Sequence, residues 1–110
     1  MASRADFVLQ ERHGHVLVLT MNRPQRHHAL NRALASRLVA AMNAAAEDEG
    51  IRVVVLTGSG EEAFCAGADM LEASGVEVPA TDPRMGTVAD AIDTCSRTPI
   101  PVIAAINGYC

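Results

Sequence analysis

The stretch Ile51-Arg52-Val53-Val54-Val55-Leu56-Thr57-Gly58-Ser59-Gly60 constrains this chain more than any other. Val53 to Leu56 is an unbroken apolar run, mostly β-branched, closed by a Gly-Ser-Gly turn. Such a run forms a strand, and the absence of polar alternation predicts burial on both faces. A strand covered on both sides belongs to a parallel sheet with helices across it, which makes the chain α/β. A helix is expected over 31–48, with Asn31 as its N-cap and Leu34, Leu38, Met42 and Ala45 as one apolar stripe. That helix runs into Glu47-Asp48-Glu49 and is stopped by Gly50. Helix C-termini favour cations, and no local feature accounts for the acidic choice.

Other elements follow from similar signals. Phe7–Leu9 and Val16–Leu19 read as the arms of a β-hairpin with His13-Gly14 as the turn. Strands are expected near 7–11, 15–20, 52–57 and 101–106. A polar connection broken by Pro24 leads from the hairpin to the long helix. A loop from Glu61 enters a short helix over 68–74. Asp82-Pro83 opens a helix over 83–97, with Met85, Val88, Ile92 and Cys95 on one face, and Pro99 and Pro101 end it. The order is β-β-α-β-α-α-β, without repeats, and helix-linked strands of this kind pair in parallel.

The length of 110 residues suits one core. A net charge of −4, with the arginines scattered and lysine absent, leaves no basic face for nucleic acid or an anionic membrane. No apolar run reaches the length of a membrane span, and the N-terminus lacks the apolar core of a secretory signal. Cys65, Cys95 and Cys110 fit no disulfide framework and read as reduced thiols of a cytoplasmic protein. The pairs His13/His15 and His27/His28 find no metal-ligand spacing, so no metal is expected.

Chemistry is concentrated in Ala63-Phe64-Cys65-Ala66-Gly67-Ala68-Asp69-Met70. Small residues follow a buried strand and precede a helix, where backbone N–H groups are unpaired. A ligand can approach those N–H groups closely, so main chain alone can hold an anion or oxyanion. The side chains have plainer readings. Asp69 is a first-turn carboxylate favoured by the helix dipole. Glu61 and Glu62 form a solvated loop. Cys65 lacks a base and is packing beside the turn. Met42, Met70 and Met85 fill core or pocket. His27 and His28 are surface residues of the connecting loop, and Asn107-Gly108 is a turn.

Several stretches in order resemble the enoyl-CoA hydratase/isomerase (crotonase) superfamily. They are MNRPQRHHALN (21–31), RVVVLTGSGEEAFCAGADM (52–70) and TPIPVIAAINGY (98–109), with a helix before the last. The resemblance implies a crotonase-like β/α spiral, here its first turns. It implies an acyl-CoA thioester substrate, with coenzyme A as part of it and no separate cofactor. The N–H of Ala68 would be one of two oxyanion donors for a thioester enolate. Main chain at Ala29, Ala66, Gly67, Asp69 and Met70 would line the CoA site. Arg26 stands where the family often has Lys near the CoA phosphates, His27 would lie within reach of them, and His28 replaces a usual Asn. The second donor would follow the Asn-Gly-Tyr turn and the acid/base carboxylates would lie further on, so the chain is expected to be the N-terminal part of such a domain. The family also implies a homo-oligomer, trimer or hexamer, at full length. The alternative is a non-catalytic fragment with weak CoA binding. A Rossmann-type nucleotide site is a poor third reading, since there is no G-x-G-x-x-G turn and the Gly-rich segment has the wrong spacing.

Overall fold

The hairpin forms because two apolar-rich arms flank a residue that tolerates positive φ. In the computed structural model, which describes residues 7–68 and 88–110, β1 (Val8–His13) and β2 (Val16–Met21) pair antiparallel with His13 opposite Val16. The turn is therefore Gly14-His15, one residue beyond the expected His13-Gly14, and Gly14 takes a φ of 61°. Helix α1 (Arg32–Glu47) starts behind Asn31, whose side chain accepts the Leu34 N–H at 2.8 Å. Strand β3 (Val53–Gly58) then pairs parallel with β2. Helix α2 (Val88–Arg97) precedes β4 (Val102–Ala104), which pairs parallel with β3 and completes the order β1-β2-β3-β4. The expected helix over 68–74 lies outside the described residues beyond Ala68. So do Asp82-Pro83, Met85 and the first turn of the helix expected over 83–97.

Alternation on β2 sends Leu17, Leu19 and Met21 inward, where they form one cluster with Val54 and with Leu34, Leu38, Ala41, Met42 and Ala45 of α1. The stripe on α1 is thus the core face. The expectation that β3 is buried on both faces is corrected. Val54 is buried, but Val53 and Val55 are only half-buried. Helix α1 packs on the hairpin and α2 packs on α1, so among the described residues both helices lie on the Val54 side. Helix α2 also departs from its expected face. Ala91 is buried, Cys95 places its Sγ 3.5 Å from the Met42 Sδ, and Ile92 is 63% exposed. Ala91 and Cys95 are one helical turn apart, whereas Ile92 is rotated by about 100° from Ala91 and leaves the contact.

At the acidic end of α1, Asp48 is explained by its neighbours. Asp48 accepts the Gly50 N–H on Oδ1 at 2.8 Å and the Arg12 Nη1 of β1 on Oδ2 at 3.1 Å. No helix among the described residues is long and apolar enough to cross a membrane.

Candidate functional site

Strands β2, β3 and β4 run the same way, so the loops that leave them, residues 22–31, 59–68 and 105–110, emerge at one edge of the sheet. Ligands of open α/β sheets bind outside this carboxyl edge. Here the three loops are tied by main chain. Leu30 N–H donates to the Gly67 carbonyl at 2.7 Å, and Ala66 N–H to the His27 carbonyl at 3.0 Å. Phe64 and Cys65 N–H both reach the Tyr109 carbonyl, at 2.7 and 3.2 Å, and Tyr109 N–H donates to the Glu62 carbonyl at 3.1 Å. Leu30–Ala68 and Ala63–Tyr109 are isolated parallel bridges.

Asn107 does more than make a turn. Regular pairing of β4 stops at Ala104, short of the expected 106, and Ala105 N–H adds one bond to the Leu56 carbonyl at 2.8 Å. The Asn107 amide then takes the place of main chain. Its Nδ2 donates to the carbonyls of Gly58 and Gly60, each at 2.9 Å, and its Oδ1 accepts the Gly58 N–H at 3.2 Å. Two glycines make room for this packing. A Cβ at Gly108 would stand 2.5 Å from the Glu62 carbonyl oxygen, and one at Gly58 would stand 2.8 Å from that of Ala63.

His28 corrects the reading of the histidine pair as surface residues. It is 1% exposed, accepts the Arg23 N–H on Nδ1 at 3.0 Å and places Nε2 2.9 Å from the Ser59 carbonyl. Both ring nitrogens are partnered, which is what permits a polar ring to be buried. Arg23 is buried too and donates from Nη1 to the Ala29 carbonyl at 2.8 Å. Neither role leaves a local mark in the sequence; Asn-Arg-Pro reads simply as a polar turn.

The structure brings most of the expected site residues together. Arg26 ends the 3₁₀ turn Pro24–Arg26 and is exposed. His27 is exposed, with Nε2 3.8 Å from Glu62 Oε2. Ala29 is half-buried, and its N–H donates to the Arg26 carbonyl at 2.9 Å. Across the 27–66 and 30–67 hydrogen bonds lie Ala66, Gly67 and Ala68, all exposed, with Gly67 at a φ of 92°. Ala68 is the bridge partner of Leu30, and the helix that it is expected to head lies outside the described residues. Its N–H makes no hydrogen bond to an acceptor among the described residues. Asp69 and Met70 lie outside the described residues. A cavity of about 120 Å³ opens beside His27, between Pro24, His28, Ser59, Glu62 and Ala63. No cluster of three metal-ligand side chains occurs among the described residues.

Cys65, half-buried beside this edge, accepts the Gly67 N–H on Sγ at 3.4 Å. Burial pushes its thiol above the ordinary range, an effect that the Gly67 bond opposes and the nearby Cys110 reinforces. Burial likewise raises Cys95. Both thiols are thereby harder to ionise, and the thiolate is the reactive form. Maleimide at neutral pH is expected to label the exposed Cys110 first, and Cys65 and Cys95 at least about tenfold more slowly. The folded state holds these two protons more tightly than the unfolded chain. The stabilisation is whole below the ordinary thiol range and is lost as pH rises through the raised values. Peptide mass mapping after timed labelling checks the order, and equal rates at the three thiols would contradict it.

Comparison with known proteins matches this arrangement. The profile of the enoyl-CoA hydratase/isomerase family matches residues 11–110. A probable enoyl-CoA hydratase of Mycobacterium tuberculosis is 40% identical over 95 residues, covering 86% of this chain and 36% of that protein. The 2,3-dehydroadipyl-CoA hydratase of Escherichia coli is 39% identical over 106 residues, covering 93% of this chain and 39% of its own. The chain therefore spans well under half the length of these curated relatives. Among solved structures, an enoyl-CoA hydratase of Mycobacterium marinum superposes with a TM-score of 0.79 at 34% identity, covering 93% of this chain and 48% of that one. Pseudomonas aeruginosa OdaA gives 0.78 at 34% identity, covering 94% and 40%. The βαβ order and the three-loop edge thus belong to the crotonase fold, of which the chain spans a part, and the chain belongs to the enoyl-CoA hydratase/isomerase family.

Proposed function

We propose that this chain supplies the CoA-facing loops and one oxyanion donor of a site that hydrates or isomerises an enoyl-CoA through a stabilised thioester enolate. The observation that carries the reading is Ala68: exposed, at the carboxyl edge, with an N–H that no described acceptor uses. A fixed backbone donor aimed at developing negative charge is what enolate chemistry needs. Arg26 and His27 stand on the adjoining loop as cations or donors for the CoA phosphates. Main chain at Ala29, Ala66, Gly67, Asp69 and Met70 completes the lining. Coenzyme A enters as part of the substrate, and no separate cofactor is invoked. The full-length assembly is read as a trimer or hexamer, working as a lyase or isomerase of fatty acid metabolism. Its three free thiols support a cytoplasmic reading.

Calorimetric titration with coenzyme A and with acetoacetyl-CoA, whose enolate offers an anionic oxygen, tests this. The chain is expected to bind both. Ala68→Pro removes the N–H and is expected to weaken acetoacetyl-CoA binding about tenfold, the net worth of one good hydrogen bond. Coenzyme A affinity should not change. Equal losses for both ligands would make Ala68 a lining residue. No saturable binding of either by the parent chain would remove the CoA reading. Loss of crotonyl-CoA absorbance separates a catalytic chain from one that only binds.

A further inference from the structure

We propose that His28 is a positioning residue: a neutral imidazole carrying its proton on Nε2, which spans the 22–31 and 59–68 loops and fixes Arg26, His27 and Ala29 relative to Ala66, Gly67 and Ala68. The inference rests on the reading that those two loops hold the thioester.

Hydrogen-bond chemistry sets the tautomer. The Arg23 N–H can only donate, so Nδ1, 3.0 Å away, accepts. The Ser59 carbonyl can only accept, so Nε2, 2.9 Å away, donates. One neutral tautomer serves both contacts, and the other serves neither. The two partners lie 5 and 31 residues from His28 along the chain, one in its own loop and one in the facing loop. The ring is 1% exposed and lies against the bare end of β3, where a Cβ on Gly58 would meet its Cδ2 at 2.8 Å.

The backbone around the ring is held in a conformation that side-chain-bearing residues rarely adopt. His27 and His28 have φ of 51° and 56° in succession. Such a pair persists only where its surroundings determine it, and pairs of this kind cluster at ligand sites. The same turn aims the His27 carbonyl at the Ala66 N–H, 3.0 Å away. One turn therefore sends two ties across the edge, one from main chain to Ala66 and one from the buried ring to Ser59. A leucine would fill the space of the ring and make neither of its bonds.

A ¹⁵N-labelled chain provides the direct test. A scalar coupling across the hydrogen bond between the Arg23 amide nitrogen and the His28 Nδ1 is expected, with an imidazole shift pattern of protonated Nε2 and bare Nδ1. A ring protonated on Nδ1, or no coupling, overturns the proposal and requires no variant to fold. Three variants then test positioning. His28→Asn keeps an acceptor for Arg23, His28→Gln reaches Ser59, and His28→Leu does neither. Acetoacetyl-CoA affinity is expected to fall about tenfold in His28→Leu and less in the two amides, since each retains one bond. Parental affinity in His28→Leu overturns the proposal. If the parent chain binds no thioester, the substrate reading fails, and the coupling alone decides the tie.

Discussion

Replacing Asn107 with alanine is expected to destabilise the chain by roughly 2–4 kcal/mol, since each buried polar group left without its partner costs about 1–3 kcal/mol. The amide contacts both the N–H and the carbonyl of Gly58, a buried residue at the end of β3, at 3.2 and 2.9 Å. The Gly60 carbonyl is in an exposed residue and regains water, so it adds little. Asn107→Asp is expected to be at least as damaging, because it sets a carboxylate oxygen against the carbonyls that Nδ2 now serves. Urea unfolding of the two variants beside the parent measures the loss, and amide exchange at Phe64 and Tyr109 locates it. A change below about 0.5 kcal/mol, within the ordinary range for a surface substitution, would return Asn107 to the status of a turn residue.

Leu19→Ala is expected to cost roughly 3–5 kcal/mol, the range for deleting a fully buried leucine whose cavity cannot collapse. Leu19 is 0% exposed and sits on β2, with Gln10 of β1 on one side and Leu56 of β3 on the other. Its cluster includes Leu34, Leu38 and Met42 of α1. The strand cannot shift inward without breaking a ladder, so the space stays open. Leu9, 44% exposed on β1, is the matched control, and Leu9→Ala is expected to cost less than about 1 kcal/mol. Urea midpoints for the pair decide it: similar losses would mean that α1 is not packed against β2 as described.

The long helix was legible because its evidence is local. Asn31 and Leu34 are three residues apart, and the stripe from Leu34 to Ala45 repeats within single turns. The hairpin and the β3 run were legible for the same reason. The edge that carries the candidate site was legible only in part. Small residues at 66–68 marked an accessible backbone, but nothing near His28 indicated that its ring would turn inward to Ser59, 31 residues away. Asn107 meets Gly58 across 49 residues, and Arg12 meets Asp48 across 36. Pattern reading assigns residues to elements, whereas these contacts depend on which elements become neighbours. The resemblance to a known family supplied part of that neighbourhood, and His28, where this chain departs from the family's usual residue, is the part it did not supply.

The brevity of β4 gives the Asn107 amide, three residues beyond it, a second consequence. Only Val102, Ile103 and Ala104 are matched in regular pairing with β3. Three residues are a poor ruler: displaced by one, they would still present apolar side chains and could still form main-chain bonds. Displacement by one residue would, however, exchange the two faces of the strand. The Asn107 amide fits one address, with the Gly58 N–H against its oxygen and the carbonyls of Gly58 and Gly60 against its nitrogen. It works as a vernier at the end of a short scale, admitting one alignment of β4 and rejecting its neighbours.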